Sequence, residues 1–561
     1  MASPLFRGWN LAYFVILLFY IIAIVPAPGI SLPGSPHDDG LFMKWSNSIL
    51  DGQWLGSWDI LSTSKGPLHS VLTAVAARIG INPFAYKRIF YLVGSLVFVG
   101  TALNKAPNWL RVVTLITLLL DPFQFGNMGL RNLREGTYIP LQIIAFGLGT
   151  WSLDQLRKQI KFKVSLVMGL LGTATCFGLI LITREGRMVA WVELAAWLIL
   201  GGLVFAWRHR QQLHHRLGIK LLAALLVVLG IVAWTKLPVL AISGLNGFHY
   251  RSFISNSTEE GEFPSLYGRL LGISVSGEAA LARVPVRQTT LGAIIQESDS
   301  GSHLSRILNN IPSHWRIHGC SIYPETCGEI GGGWFMWALR DAIGAVLEPG
   351  ASEASFQRVV QSANSELDSI CKQSSMLLCS SPQVGYKPSM SRWGFRSLIN
   401  EVAKEGSRIA SLVLIPAVYP HGKVTLAIEQ VGGLHETLAR PLGIRKVSLT
   451  ESFKWHRILR AASILGAAGK WLMIVLAVIS VGLATMRSRL SELWDPVCVW
   501  MLLCLGLQLA TYTLLGLTSF PGDAYVTMAS PLFIGLLARL SAYYMPLGHS
   551  RQFRSNLPKV S

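Results

Sequence analysis

The sequence predicts an α-helical polytopic membrane protein of about ten transmembrane helices, carrying a mainly helical extracytoplasmic domain. Three observations predict it. Hydrophobic residues make up 51% of the 561 and charged residues only 14%, with a mean hydropathy of +0.44, far too apolar for a soluble chain of this length. Apolar runs able to cross roughly 30 Å of hydrocarbon recur along the chain. Lys and Arg gather between those runs, in alternate loops.

The runs lie at residues 10–27, 88–104, 107–121, 138–154, 164–182, 188–207, 219–237, 464–486, 494–518 and 524–545. The third is short and suits a tilted or re-entrant segment. The first reads as an anchor, because it continues into VPAPGISLPG with no small-residue cleavage site. With both termini in the cytoplasm, the inner side receives Arg7, Lys105, Arg111, LRKQIKFK, RHRQQLHHR, MRSRL and the tail HSRQFRSNLPK. Every inner loop then obeys the positive-inside rule. The other face receives HDDGLF (37–42), DPFQFGNMGLRNLREGTY (121–138), TREGRM (183–188), residues 238–460 and TSFPGDAY (518–525). The expected location is the bacterial cytoplasmic (inner) membrane with the large loop periplasmic, since no eukaryotic retention signal is found. The sequon Asn256-Ser257-Thr258 keeps an endoplasmic reticulum membrane as the alternative.

Three units follow: a seven-span module at 1–237, an extracytoplasmic domain at 238–460, and three C-terminal spans with a basic tail at 461–561. The net charge of +19 does not point to nucleic acid, because the basic residues form no stripe with interleaved aromatics. Within 238–460, three- and four-residue apolar spacing predicts helices over 261–272, 302–315, 331–347 and 352–372, and VTLAIEQV (424–431) is strand-like. Trp334, Phe335 and Trp337 follow three glycines; core packing is favoured over sugar stacking. Cys176, Cys498 and Cys504 lie in apolar runs as packing residues. Cys320, Cys327, Cys371 and Cys379 share the polar region and suit two short-loop disulfides, Cys320–Cys327 and Cys371–Cys379; a four-thiolate zinc site is the weaker rival, lacking CxxC spacing.

The chemistry-bearing residues lie in the outer loops. HDDGLF sets His37, Asp38 and Asp39 at the start of an amphipathic helix (Leu41, Phe42, Trp45, Ile49, Leu50) suited to the membrane surface. An N-cap role explains one carboxylate but not two. Two adjacent carboxylates repel, so one has a raised pKa or they share a cation, which suits a general base or a metal site. Lys65 before Gly66-Pro67 is either a snorkelling anchor or the cation for a phosphate leaving group. Arg131, Arg134 and Glu135 in RNLREGTY, with Tyr138 beside them, and Arg184, Glu185 and Arg187 in TREGRM form rim ion pairs or hold a phosphate.

The order Asp38-Asp39, the helix ending in DGQWLGSW, Lys65-Gly66-Pro67-Leu68, a further helix, Ala85-Tyr86-Lys87-Arg88 and a second long span resembles the opening of polytopic GT-C glycosyltransferases. Lipid A aminoarabinose transferases and protein O-mannosyltransferases are the most similar groups, over residues 1 to about 105; the rest of the seven-span module matches only in topology. The relatives often have Asp-Glu where this chain has Asp38-Asp39, and a second proline where it has Gly66.

The resemblance implies a sugar carried on polyprenyl phosphate and transferred, with inversion, to a glycan, lipid or protein acceptor on the outer face. Asp39 is expected to be the base, with Asp38 orienting it or binding a cation. Lys65, Arg131, Arg134, Arg184 and Arg187 are expected at the donor phosphate, with His37, Glu135, Glu185 and Tyr138 in secondary places. Adjacent Asp38 and Asp39 would suit Mg²⁺ or Mn²⁺, or Lys65 supplies the charge without a metal. The competing classes are a lipid or polysaccharide transporter, which would place charge near mid-membrane, and a non-enzymatic envelope assembly protein, in which these residues are dispensable.

Overall fold

A computed structural model of the protein describes residues 4–30, 37–158, 163–184, 187–208, 217–278, 281, 283–381, 395–414, 438–444, 449–486, 495–518 and 529–544. The chain is a helical polytopic membrane protein. A helix stands at each expected span: Pro4–Phe19 running into a π-turn at Tyr20–Ile24, Pro83–Ala102, Asn108–Leu119, Glu135–Lys158, Val164–Leu181, Arg187–Arg208, Leu217–Tyr250, Leu449–Met486, Pro496–Thr518 and Ala529–Tyr544. Among the described residues, six of these are long and apolar enough to cross a membrane, and Asn10–Ile24 and Ala529–Ala542 are shorter apolar helices. Their outward faces carry residues such as Leu222, Leu226, Val475 and Val478, exposed in a way that only lipid accommodates cheaply.

Two segments bear on the expected layout. Asn108–Leu119 has 12 residues, which rise only about 18 Å, and it packs as a buried wedge under Leu449–Met486. Gly466 makes that approach possible, since a Cβ there would fall 1.6 Å from the Leu120 carbonyl oxygen. Leu217–Tyr250 runs straight through the expected boundary at 237 in spite of Pro238. The insert is thus rooted on a continuous helix, and the entry to the third unit is already helical at Leu449.

The predicted helices of the insert form as Phe263–Leu271, His303–Asn309, Trp334–Val346 and Glu353–Gln373, and Gln288–Glu297, Trp315–Ile322 and Phe395–Leu414 are helices that spacing did not suggest. Ser302 and Ser352 cap two of them by accepting from the Ser305 and Ser355 amides. Phe263, Leu270, Ile294, Leu304, Phe335 and Phe356 meet in a core separate from that of the membrane module. Ile273–Val275 pairs antiparallel with Leu377–Cys379. Cys371–Cys379 and Cys320–Cys327 are both disulfide-bonded, and Cys176, Cys498 and Cys504 are free and buried. The strand expected at 424–431 lies outside the described residues.

Polar ties cross the bundle. Gln508 Nε2 donates to Glu193 Oε1 at 2.7 Å between Pro496–Thr518 and Arg187–Arg208. The sequon does not stand out as a glycosylation target: Asn256, Ser257 and Thr258 are all buried, and Asn256 Oδ1 accepts from the Thr258 amide and hydroxyl.

Candidate active site

The helix Asp39–Leu50 does not lie on a lipid surface; Leu41, Phe42, Met43, Trp45 and Ser46 are buried in protein. Asp39 lies on that buried face, at helical spacing from Phe42, Met43 and Ser46. Its carboxylate is 0% exposed. Arg131 Nε donates to Asp39 Oδ2 at 3.1 Å, Arg131 Nη2 donates to the same oxygen, and the Asn132 amide donates to Oδ1 at 3.2 Å. A short bridge brings the segment around Arg131 there: Ile30 N donates to Leu130 O and Asn132 N to Ile30 O.

Asp38 precedes the helix and makes no side-chain cap. Its carboxylate is 42% exposed, while the Lys65 side chain that binds it is 3% exposed. Lys65 Nζ donates to Asp38 Oδ1 at 2.7 Å and also to the His37 carbonyl oxygen. The ammonium sits 5.5 Å from the centroid of the Phe42 ring and 5.1 Å from that of Trp337. Arg131 Nη2 stands 3.9 Å from Asp38 Oδ2, so one guanidinium touches both aspartates. Lys65 is therefore no snorkelling anchor but a buried, paired cation.

The two carboxylates differ electrically. Burial raises the Asp39 carboxyl, with Asp38 adding to it and Arg131 opposing. Burial would also raise Asp38, but Lys65, Arg134 and Arg131 outweigh it and hold that carboxyl well below the usual range. Burial lowers the His37 ring, which Asp341 and Asp38 raise and Lys65 and Arg340 lower further. His69 lies beneath, bonded to Thr137 Oγ1 at 2.9 Å, and burial pushes it down to about 3.

Gly66 explains itself here. A Cβ at Gly66 would lie 2.3 Å from Ile182 O and 2.8 Å from the carbonyl carbon of Thr183. Only glycine lets the Lys65 turn press against residues 182–183, so neither proline nor alanine fits.

The remaining expected residues separate. Arg134 acts on Asp38 through its charge. Arg184 lies over the Tyr138 ring at 5.7 Å, and Tyr138 is a buried core residue. Arg187 is committed elsewhere, to Glu259 at 2.9 Å, to Glu260 and to Ser255 Oγ at 2.6 Å. Glu135 is buried, lining a cleft with Lys87, Arg88 and Asp121 that contains neither aspartate of the site. Glu185 lies outside the described residues.

Asp38 and Asp39 do not form a good divalent-metal pair: each already faces a cation of the chain. Among the described residues, no group of three or more His, Cys, Asp or Glu side chains gathers to hold a metal ion.

Several residues were missed. Trp315, Asp341, Asn132 and His69 all touch the site or its supports, and Trp337, expected in a core, reaches Lys65 as well. For Trp337 and Asp341 the signal is spacing, since they share one helix face with Arg340.

The sequence matches no protein-family profile. It matches no curated protein. Among solved structures, ArnT from Cupriavidus metallidurans aligns in its apo state and in its form bound to undecaprenyl phosphate. In each case the identity is 13%, 96% of this chain and 77% of the other are covered, and the TM-score is 0.30. So loose a superposition carries no weight for site or chemistry.

Proposed function

We propose that this protein is a membrane glycosyltransferase that moves a sugar from a polyprenyl-phosphate carrier to an acceptor hydroxyl on the extracytoplasmic face. The base is Asp38 and not the expected Asp39, whose carboxylate is enclosed and fully bonded. One observation carries the reading: a half-exposed aspartate hydrogen-bonded to a buried lysine at 2.7 Å, with Arg131 behind both aspartates. The order of motifs in residues 1–105, which resembles GT-C enzymes, supplies the donor class.

The ion pair suggests how donor binding prepares the base. A donor phosphate reaching Lys65 and Arg134 competes with Asp38 for positive charge. As Asp38 loses its partner, its carboxyl becomes more basic at the moment an acceptor is needed. Asp38 then takes the hydroxyl proton while the acceptor oxygen bonds to the anomeric carbon. The carbon–oxygen bond to the carrier breaks, its electron pair stays on the phosphate, and Lys65 with the arginines stabilises that charge. Asp39 keeps Arg131 oriented.

The test is sugar transfer by purified full-length protein from a panel of polyprenyl-phosphate-linked sugars, with Asp38→Asn and Lys65→Ala alongside. Wild type is expected to turn over at least one donor, and Asp38→Asn to lose about 10²- to 10⁴-fold in rate. Full activity in both variants would overturn the assignment.

A further inference from the structure

The insert makes more than a passive contact with the membrane module. Residues Trp337, Arg340 and Asp341 stand three and four apart on the helix Trp334–Val346 and so share one face. Arg340 fixes the dock: it is wholly buried, donates from Nε to Ile60 O at 2.6 Å and from Nη2 to Ser257 Oγ at 2.8 Å. Glu353 adds a second clamp by accepting from Trp58 Nε1 at 3.0 Å and Thr63 Oγ1 at 2.6 Å. Both clamps hold residues 58–63, the segment that delivers Lys65.

The same face then reaches the site itself. Trp337 lies 5.1 Å from the Lys65 ammonium and 5.1 Å from the His37 ring. Trp315 covers His37 from another side at 5.2 Å. Asp341 Oδ2 accepts from Trp315 Nε1 at 2.9 Å and faces His37 Nε2 at 3.9 Å. His37 in turn offers its carbonyl to Lys65.

We infer that the insert is one wall of the site, with Trp337 a positioning residue for Lys65 and Asp341 a positioning residue for His37. The alternative, an independently acting binding domain, would leave the Lys65 environment unchanged when Trp337 or Asp341 is altered. As a statement about catalysis this rests on the glycosyl-transfer reading; as a statement about Lys65 it does not.

The deciding experiment is amine acylation of the full-length protein, followed by mass spectrometry of the Lys65 peptide. Wild-type Lys65 is expected to resist acylation. Trp337→Leu is expected to raise its rate about thirtyfold, the factor a desolvated cation–π contact is worth. Trp337→Phe keeps an aromatic face and is expected to stay near wild type, and Trp334→Leu, one turn earlier, serves as control. Intact disulfides and an unchanged melting temperature identify folded variants. Protection of Lys65 that survives Trp337→Leu overturns the inference.

Kinetics give the second arm. Asp341→Asn is expected to lower kcat about tenfold with little change in KM, because a residue that acts through His37 affects positioning in the transition state more than ground-state binding. The charged groups facing His37 are Asp341, Asp38, Lys65 and Arg340. Removing Asp341 removes a raising influence, so any His37 limb in the pH profile moves to lower pH. If Lys65→Ala is inactive while Trp337→Leu and Asp341→Asn match wild type at every pH, the inference fails and the transferase reading stands. If no form transfers sugar, that reading fails, and acylation of Lys65 still decides the positioning claim.

Discussion

Two charge clusters stand towards opposite ends of the helix Glu135–Lys158, whose 24 residues rise about 36 Å at 1.5 Å per residue. Each has two aspartates and two cations. In the last turns of that helix, Arg539 donates to Asp154 Oδ1 at 2.8 Å, to Asp495 Oδ2 at 3.2 Å and to Ala102 O at 3.0 Å, and Arg157 reaches Asp495 at 3.3 Å. There the Asp495 side chain is 2% exposed and the Asp154 side chain 10%. At the near end, Asp38, Asp39, Lys65 and Arg131 use the same chemistry but leave Asp38 facing outward. A closed cluster can only hold helices together; one with an open carboxylate can also meet a substrate.

Replacing each cluster's key residue tests that contrast. The largest effect is expected from Asp38→Asn, which should cost about 10²- to 10⁴-fold in transfer rate, well beyond the fall in melting temperature that leaving buried Lys65 without its carboxylate brings. Equal losses of stability and activity would erase the distinction between the clusters. Arg539→Leu should do the reverse. It strands two buried carboxylates, so unfolding in detergent should show a loss of about 3–5 kcal/mol, with KM unaltered in the protein that remains folded.

The pH dependence sharpens the contrast further. The depressed Asp38 carboxyl is ionised in the free enzyme at every working pH, so the acid limb of kcat/KM is expected below the usual carboxylate range near pH 4. Once the donor phosphate draws Lys65 away, the Asp38 pKa rises, and the limb in kcat should lie at higher pH than that in kcat/KM. Coincident limbs would show that Lys65 stays on Asp38 throughout. Stability follows the same sign: the Asp38 contribution is present above its unfolded pKa and lost only as pH falls through the depressed folded value. The smallest effect is expected from Lys44→Ala, which breaks the exposed Lys44–Asp59 pair and should change stability by no more than about 1 kcal/mol.

The two clusters were not equally legible. His37, Asp38, Lys65 and Arg131 could be singled out because carboxylates are scarce in this chain and these groups crowd the outer loops. The exchange of roles between Asp38 and Asp39 was readable in principle: Asp39 shares a helix face with Phe42, Met43 and Ser46 and must point inward with them. Arg539, Asp154 and Asp495 gave no such signal. Asp154 and Asp495 sit at the ends of apolar runs, where a charge is expected on topological grounds, and Arg539, inside the last run, lies 385 and 44 residues from them. Arg187 misled for the opposite reason, since its loop resembles an anion site until Glu259 and Glu260 fold back onto it.

The sequence by itself determined the membrane class, the apolar segments, the helical insert and the disulfide pairs. Those follow from local free energies of transfer, helical periodicity and short loop closures, each acting within a few tens of residues. Tertiary structure alone decided which aspartate stays open, that Lys65 is buried between two aromatic rings, and that the insert walls the site. Such outcomes depend on side chains from distant segments competing for the same space and charge, and only packing resolves that competition.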